Sequence, residues 1–304
     1  MYLTSLEFKR GEIDTLKHLQ SYGPTKEKLN NFLPLFTPTG DTLKYNYIDL
    51  LAQNYSNNIL ISTEQLQAID ITSLNAYLTS KGYTQFSLAY PLTQLTNIIQ
   101  LPNNLSAVLI DPTNWQASST WLQNELNNLP DIFIIDFKHI DKAPLASNLS
   151  QLINLLSGRQ IVILSGSVPK ALPVNASTNY NHHLLEYDFF VDMTNNYPYE
   201  NINYGDYATK FAGITPTGGI SVAQLRYTHE DTNGFNIWFV RKGTPGNANL
   251  INLVATEISK SNFFTQISWA DQKILQIIRT TPNQSGNSTT WVSMNLNHHI
   301  ALFI

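Results

Sequence analysis

Short apolar runs recur along the chain, each too brief for a helix and most followed by an amphipathic stretch; together they predict an α/β fold, a TIM-type (β/α)8 barrel with a C-terminal β-hairpin and helix elaboration. The runs are rich in β-branched and aromatic residues, the composition of strands buried on both faces. Strand–helix alternation without long polar linkers indicates parallel βαβ units. Eight such units in so little sequence close a barrel more readily than they wind an open sheet.

The first run, Tyr2–Lys9, is broken at Arg10 and Gly11, and Glu12–Tyr22 then sets Ile13, Leu16 and Leu19 on one helical face. Phe32–Phe36 is the second run, stopped by Pro38. Asn58–Ser62, Phe86–Tyr90 and Ser106–Asp111 are the third to fifth, and Trp115–Leu129 follows as a helix with Trp121, Leu122 and Leu126 on one side. Ile132–Asp136 and Gln160–Ser165 are the clearest strands, with Leu149, Leu152, Ile153 and Leu156 at helical spacing between them. Leu184–Met193 suits a strand or a helix; if it is a helix, Asn201–Ala208 supplies strand eight.

Beyond Thr217 the pattern changes. Ile220–Thr228 and Phe235–Val240 flank Asp231–Gly234, whose Asn-Gly pair signals a hairpin turn. Helices are expected at Asn249–Ser259 and Gln272–Ile278, then a final run through His298 and His299 to Ile304. No Pro/Gly/Ser linker precedes this region. Residues 1–304 therefore read as one domain, with barrel strands at about 2–208 and an elaboration at about 218–304 packed on them.

Charged residues make up 13%, about half the usual ~25%, so Asn, Gln, Ser and Thr must supply most of the polar surface. A net charge of −4 with only 18 Lys and Arg argues against a broad nucleic-acid face, because non-specific binding neutralises many phosphates. A local basic pocket remains open. The absence of cysteine excludes disulfides, thiol nucleophiles and Cys-ligated zinc. Met1–Arg10 lacks the pattern of a signal peptide, and no run approaches the roughly 20 apolar residues of a membrane span. The expectation is a cytoplasmic protein with no membrane partner.

Active sites of such barrels lie at the C-terminal ends of the strands. That rule nominates Lys9, Arg10, Asp111, Asp136, Lys138, Ser165–Ser167 and Asp206. Closure sets strand eight beside strand one, so Asp206 is expected to face Lys9 or Arg10 across the mouth, with Asp136 approaching from strand six. Lys9, Asp136 and Asp206 are the catalytic candidates, acid and base groups suited to proton transfer or phosphate binding. The alternative is that these charges pair with one another and cap the barrel. Read as strand residues, His298 and His299 point to opposite faces and do not share one metal. There is no H-E-x-x-H, no metal is assigned, and the cofactor is unknown. Ser165–Ser167 suits phosphate contact through backbone N–H groups or a tight turn equally well. Gly213–Gly219 lacks the Lys-Ser/Thr of a P-loop.

Phe8–Glu12, Tyr204–Tyr207, Leu225–Thr228, Trp238–Gly243, Gly286–Trp291 and Asn297–His299 together resemble the phage T4 beta-protein family, in order and spacing, over nearly the whole chain. The family tends to carry Arg-Gly where this chain has Arg241-Lys-Gly243, and Gly-Asp where it has Ala270-Asp271, so Asp271 is not carried over. The resemblance implies no particular reaction; the family's occurrence in bacteria and mobile elements implies a setting of phage–host conflict and antiviral defence. Its motifs gather Lys9, Glu12, Asp206 and Tyr207 where strands one and eight meet, Arg226, Tyr227 and Arg241 on the hairpin, and His298 and His299 at the last residues. The expectation is a hairpin and terminal segment closing over the mouth, with Arg226 or Arg241 near Asp206. Ligand-binding candidates are Arg10, Glu12, Lys138, Tyr207, Arg226, Tyr227, Arg241, His298 and His299. Arginine suits bidentate phosphate or carboxylate recognition, so the expected ligand is anionic: a phosphate-bearing small molecule or a nucleic-acid end. The alternative is a non-catalytic module that docks another protein on the barrel scaffold.

Overall fold

The apolar runs are strands. The computed structural model describes every residue except 39–42, 214–221, 245, 247 and 280–285, so most of the Gly213–Gly219 stretch lies outside the described residues. In chain order the strands begin with β1 (Tyr2–Glu7), β2 (Phe32–Thr37), β3 (Ile59–Ser62) and β4 (Phe86–Pro91). They continue with β5 (Leu105–Ile110), β6 (Ile132–His139), β7 (Gln160–Gly166) and β8 (Tyr180–His183). Last come β9 (Asn201–Asp206), β10 (Ala223–Asp231) and β11 (Gly234–Lys242).

Strands β1 to β7 and then β9 pair in parallel and close on themselves, with Tyr2 opposite Tyr204 and Thr4 opposite Asp206 at the seam. The barrel's eighth strand is thus Asn201–Asp206, and Leu185–Asn196 is a helix that buries Glu186, Phe189 and Met193 at helical spacing. Side-chain alternation separates two apolar layers. Leu3, Leu35, Leu60, Ala89, Ile134 and Val162 fill the barrel interior, while Leu6, Phe36, Ile61, Leu88, Phe133 and Ile163 face the surrounding helices. Two-residue parity also sets the mouth: Asp136 shares the inward side of Ile134, and Tyr207 packs with the inner cluster. Asp206, beside Tyr207, must then face outward.

The hairpin forms where the Asn-Gly pair signals it, with Asp231 opposite Gly234. β8 joins β11 as a third strand; its Tyr-Asn-His-His sequence has no apolar alternation to announce it. One face of this sheet, through Leu225, Tyr227 and Val240, packs on helices Ile251–Ser259 and Trp269–Arg279. The other face, through Ile237 and Phe239, packs on Val168 and Leu184 at the barrel.

The terminal run, read above as a strand, is the helix Ser288–Phe303. Its residues from Met294 to Ala301 are buried almost without interruption, which hides the 3.6-residue period that a one-sided helix displays. Phe303 lies 5.5 Å from the Tyr2 ring and 5.1 Å from the Tyr204 ring, so this helix covers the β1–β9 seam where the eighth helix of a βα barrel belongs. The small sheet and its two helices are therefore an insertion between strand eight and helix eight. Among the described residues no helix is long and apolar enough to cross a membrane.

The terminal helix touches the first helix, Arg10–Ser21, almost backbone to backbone. A Cβ on Gly11 would stand 2.8 Å from the carbonyl oxygen of Thr289 and 3.1 Å from the Val292 side chain. Gly11→Ala is expected to be net destabilising: overpacking costs about 1–3 kcal/mol, against a helix-propensity gain of at most ~1 kcal/mol. Urea titration checks this; a variant as stable as the wild type would mean that the two helices part freely at this point.

Candidate functional site

Asp206 ends β9 on the outer side of the barrel and is completely buried. Its carboxylate accepts hydrogen bonds from Tyr2 Oη at 2.9 Å, Thr4 Oγ1 at 2.9 Å and the Ala208 N–H at 2.9 Å, and lies 2.8 Å from His299 Nε2. His299 Nδ1 in turn lies 2.8 Å from Thr228 Oγ1 of β10. Burial alone would raise the Asp206 pKa, but His299 and the bonds from Ala208 and Thr4 outweigh it and hold the carboxyl below its ordinary range. The expected facing of Asp206 and Lys9 is corrected: Lys9 Nζ pairs with Glu7 at 2.5 Å and Arg10 with Asp14 at 2.9 Å. Parity is the reason, because Glu7 points into the mouth and Asp206 out of it.

His298 holds the next joint. Its Nδ1 is 2.9 Å from Asp271, its Nε2 is 2.9 Å from the Thr228 carbonyl oxygen, and its ring stacks on Tyr227 at 3.9 Å. Asp271 accepts hydrogen bonds from Tyr227 Oη at 3.1 Å and from Ser268, whereas His298 Nδ1 lies close to it without hydrogen-bond geometry. His298, His299 and Tyr227, expected at a ligand, are buried and line neither of the two cavities described below. On a helix the two histidines are about 100° apart, so each reaches a different aspartate.

Inside the mouth, Asp136 is held on every side. Tyr207 Oη is 2.8 Å from both its oxygens, the Lys138 N–H donates at 2.9 Å, and Lys138 Nζ sits 2.7 Å from Asp136 and 2.7 Å from Glu64. Burial raises the Asp136 pKa, opposed chiefly by Lys138. Lys138 has φ 56° and Ala208 φ 51°, the left-handed region that non-glycine residues seldom adopt. Each donates its N–H to an aspartate two residues earlier, so strands six and eight of the barrel end in the same kind of Asx turn. A cavity of about 410 Å³ adjoins this group, with Glu64, Asp111 and Lys138 in its wall. Lys9, Asp136 and Asp206 thus belong to three separate networks and do not converge.

A larger cavity, about 840 Å³, lies between the barrel rim at β1, β7 and β9 and the barrel-facing side of the hairpin. Arg226 stands opposite Phe239 in the ladder and Gln224 opposite Arg241, so the two arginines are diagonal neighbours on one face. Lys9, Arg10, Lys170 and Lys210 join them from the rim, with Glu7 and Glu12 as the acids. Six cations against two carboxylates make +4 in a chain whose net charge is −4.

The arginines differ from the other paired cations. Arg226 Nη1 donates to the Thr209 carbonyl, and its guanidinium lies 5.2 Å from the Phe239 ring centroid. Burial, with repulsion from Arg241, lowers its pKa to about 10. Arg241 Nη1 donates to the Asn175 carbonyl at 3.1 Å, while its buried Nε has no partner. Among the described residues neither arginine has a carboxylate within ion-pair distance. Lys210, by contrast, is 2.7 Å from Glu12 and 3.7 Å from Glu7. Lys170 and Lys210 escaped the sequence reading although both follow barrel strands, at the positions the strand-end rule covers.

Ser167 lines neither cavity. Its hydroxyl contacts Glu186, lies 2.9 Å from His182 Nε2 and accepts the Leu185 N–H at 3.2 Å, which pins helix Leu185–Asn196 to the end of β7. Burial lowers His182 to about 4 and pushes Glu186 up to about 8. Among the described residues no three His, Asp or Glu side chains are grouped to hold a metal ion.

Two outcomes follow from these buried groups. His299→Ala strands Asp206 without its main partner, and loss of one member of a buried pair costs about 3–5 kcal/mol; the urea midpoint reads it. The depressed Asp206 pKa makes that contribution full above the ordinary carboxyl value and lost as pH falls below that value through the lower folded-state pKa. Glu186 has the opposite sign: its pKa is raised from 4.5 to about 8, so its contribution is full below about 4.5 and lost as pH rises through 8. Melting temperatures of Glu186→Gln and wild type should therefore diverge in the variant's favour between pH 5 and pH 8. Parallel profiles would show that Glu186 ionises freely in the folded chain.

With the geometry in place, comparison with known proteins adds one match: the family model described as Beta protein covers residues 105–304, well over half of the chain. No curated protein and no solved structure matches it.

Proposed function

The chain belongs to the Beta protein family, and from that footing we propose that its barrel mouth binds a phosphate-bearing molecule, a small phosphate ester or a phosphorylated nucleic-acid end. The barrel is the scaffold, and the inserted hairpin supplies the anion-recognising groups. The observation that carries this reading is the adjacent pair Arg226 and Arg241, turned toward the barrel in a cavity of charge +4 and free of carboxylate partners among the described residues. Two guanidinium groups side by side in a partly desolvated wall repel each other unless an anion joins them. A phosphate monoester offers the oxygens that guanidinium groups bind bidentately.

Lys170 lies on the same cavity and adds to its field; Lys9 and Lys210 are partly neutralised by Glu7 and Glu12, and Arg10 by Asp14. The role is binding. Lys9, Asp136 and Asp206 sit in separate networks, and no reaction is assigned to them. We place the activity in the cytoplasm and in phage–host conflict, a setting that rests on the family's occurrence.

Isothermal titration with methyl phosphate, and with a 5′-phosphorylated oligonucleotide against its unphosphorylated form, tests the reading. Arg226→Gln and Arg241→Gln should each weaken phosphate binding about tenfold or more, since a hydrogen bond to a charged group contributes about 1.5–3 kcal/mol. Matching urea midpoints would show that the variants are folded. Absence of any phosphate-dependent heat with intact wild-type protein would remove the proposal.

A further inference from the structure

The large cavity has two walls of different chemistry. The hairpin wall carries the arginines. The opposite rim, at the start of the first helix, carries Glu7 and Glu12 interleaved with Lys9 and Lys210. Glu12 is only 2% exposed, yet it is part of the cavity lining. Its Oε2 is committed twice, to the Glu7 N–H at 2.6 Å and to Lys210 Nζ at 2.7 Å. Its Oε1 makes no hydrogen bond among the described residues. Unlike Glu186 Oε1, this oxygen is not sealed from solvent, so a donor on a molecule in the cavity can reach it.

The rim restricts what the donor is. A second anionic group would meet Glu7 and Glu12. An ammonium would enter a cavity that already carries +4. A hydroxyl suits both neighbours, because it donates one hydrogen bond to Oε1 and accepts from the ammonium groups of Lys210 or Lys9. Phe211, Phe239 and Trp291 supply apolar wall between the two ends, a surface for a carbon skeleton. The volume, about 840 Å³, also exceeds what a lone phosphate fills and falls within the range of small-molecule sites.

We propose that the ligand is a phosphorylated sugar or polyol, with its phosphate on Arg226 and Arg241 and a free hydroxyl on Glu12 Oε1. This rests on the phosphate-binding reading above and adds the second recognition point. The sugar of a nucleotide or of a nucleic-acid end has the same chemistry.

The test compares ribose 5-phosphate with methyl phosphate by titration calorimetry on the full chain. Wild type should bind ribose 5-phosphate at least about tenfold more tightly, the gain expected from one hydroxyl bonded to a charged oxygen. Glu12→Gln keeps an acceptor for Lys210 and the Glu7 N–H but places an amide NH₂ where Oε1 stands; the ratio of the two affinities should fall to within about twofold. Equal affinities in wild type, or a ratio that survives in Glu12→Gln, would overturn the assignment of Glu12. The wild-type ratio decides the question even if the variant does not fold. If methyl phosphate binds and Arg226→Gln weakens it while ribose 5-phosphate gains nothing, only this inference fails. If methyl phosphate does not bind at all, the phosphate reading fails first.

Discussion

Much of the architecture depends on one buried contact, Asp206 with His299 at 2.8 Å. Asp206 belongs to the last barrel strand, and it binds Tyr2 and Thr4 of the first strand as well as His299 of the terminal helix. His299 passes the connection to Thr228 of the hairpin. One carboxylate thus secures the seam of the barrel, the helix that covers it and the sheet inserted between them. Isolated ionised groups are very costly in such surroundings, so the contact holds only because every lone pair of the carboxylate is met. One layer farther out, His298 lies 2.9 Å from Asp271 of helix Trp269–Arg279 and bonds the Thr228 carbonyl of the hairpin.

The hairpin's placement over the rim is a consequence of that anchoring. Face-to-face packing of Ile237 and Phe239 on Val168 and Leu184 sets its distance from the barrel, and strand parity turns Arg226 and Arg241 toward the gap. A third of the chain's Lys and Arg, six of 18, then line one cavity, although the molecule as a whole is acidic. The charged groups elsewhere in the mouth behave differently. Asp136, Lys138, Glu64 and Tyr207 satisfy one another, which is what the capping alternative for strand-end charges describes. Electrostatic imbalance, and not the presence of ionisable groups, distinguishes the arginine-lined cavity from the rest of the rim.

The strands were legible because buried parallel strands read as runs of Val, Ile, Leu and Phe, and Ile132–Asp136 and Gln160–Ser165 show this at its clearest. Leu184–Met193 was ambiguous for a physical reason: an apolar segment of that length satisfies both periods until its neighbours are known. The terminal helix was misread since burial on nearly all sides removes the polar face that marks a surface helix. β8 was invisible, a polar segment recruited to a sheet edge by β11. The arginine pair on the hairpin was found, through the turn signal and the motifs beside it. Asp206 was expected to be a catalytic residue facing the mouth, whereas it lies on the outer side of its strand.

By itself, then, the sequence determined the period of each element, the closure implied by repeated strand–helix units, and the hairpin that bears Arg226 and Arg241. Tertiary structure alone decided which ionisable groups meet. Lys9 chose Glu7, Asp206 chose His299, and Glu12 chose Lys210. The reason is that pairing depends on strand parity and on the path of segments far apart in the chain, 93 residues in the case of Asp206 and His299. Local pattern fixes which way a residue can face, whereas packing fixes what it finds there.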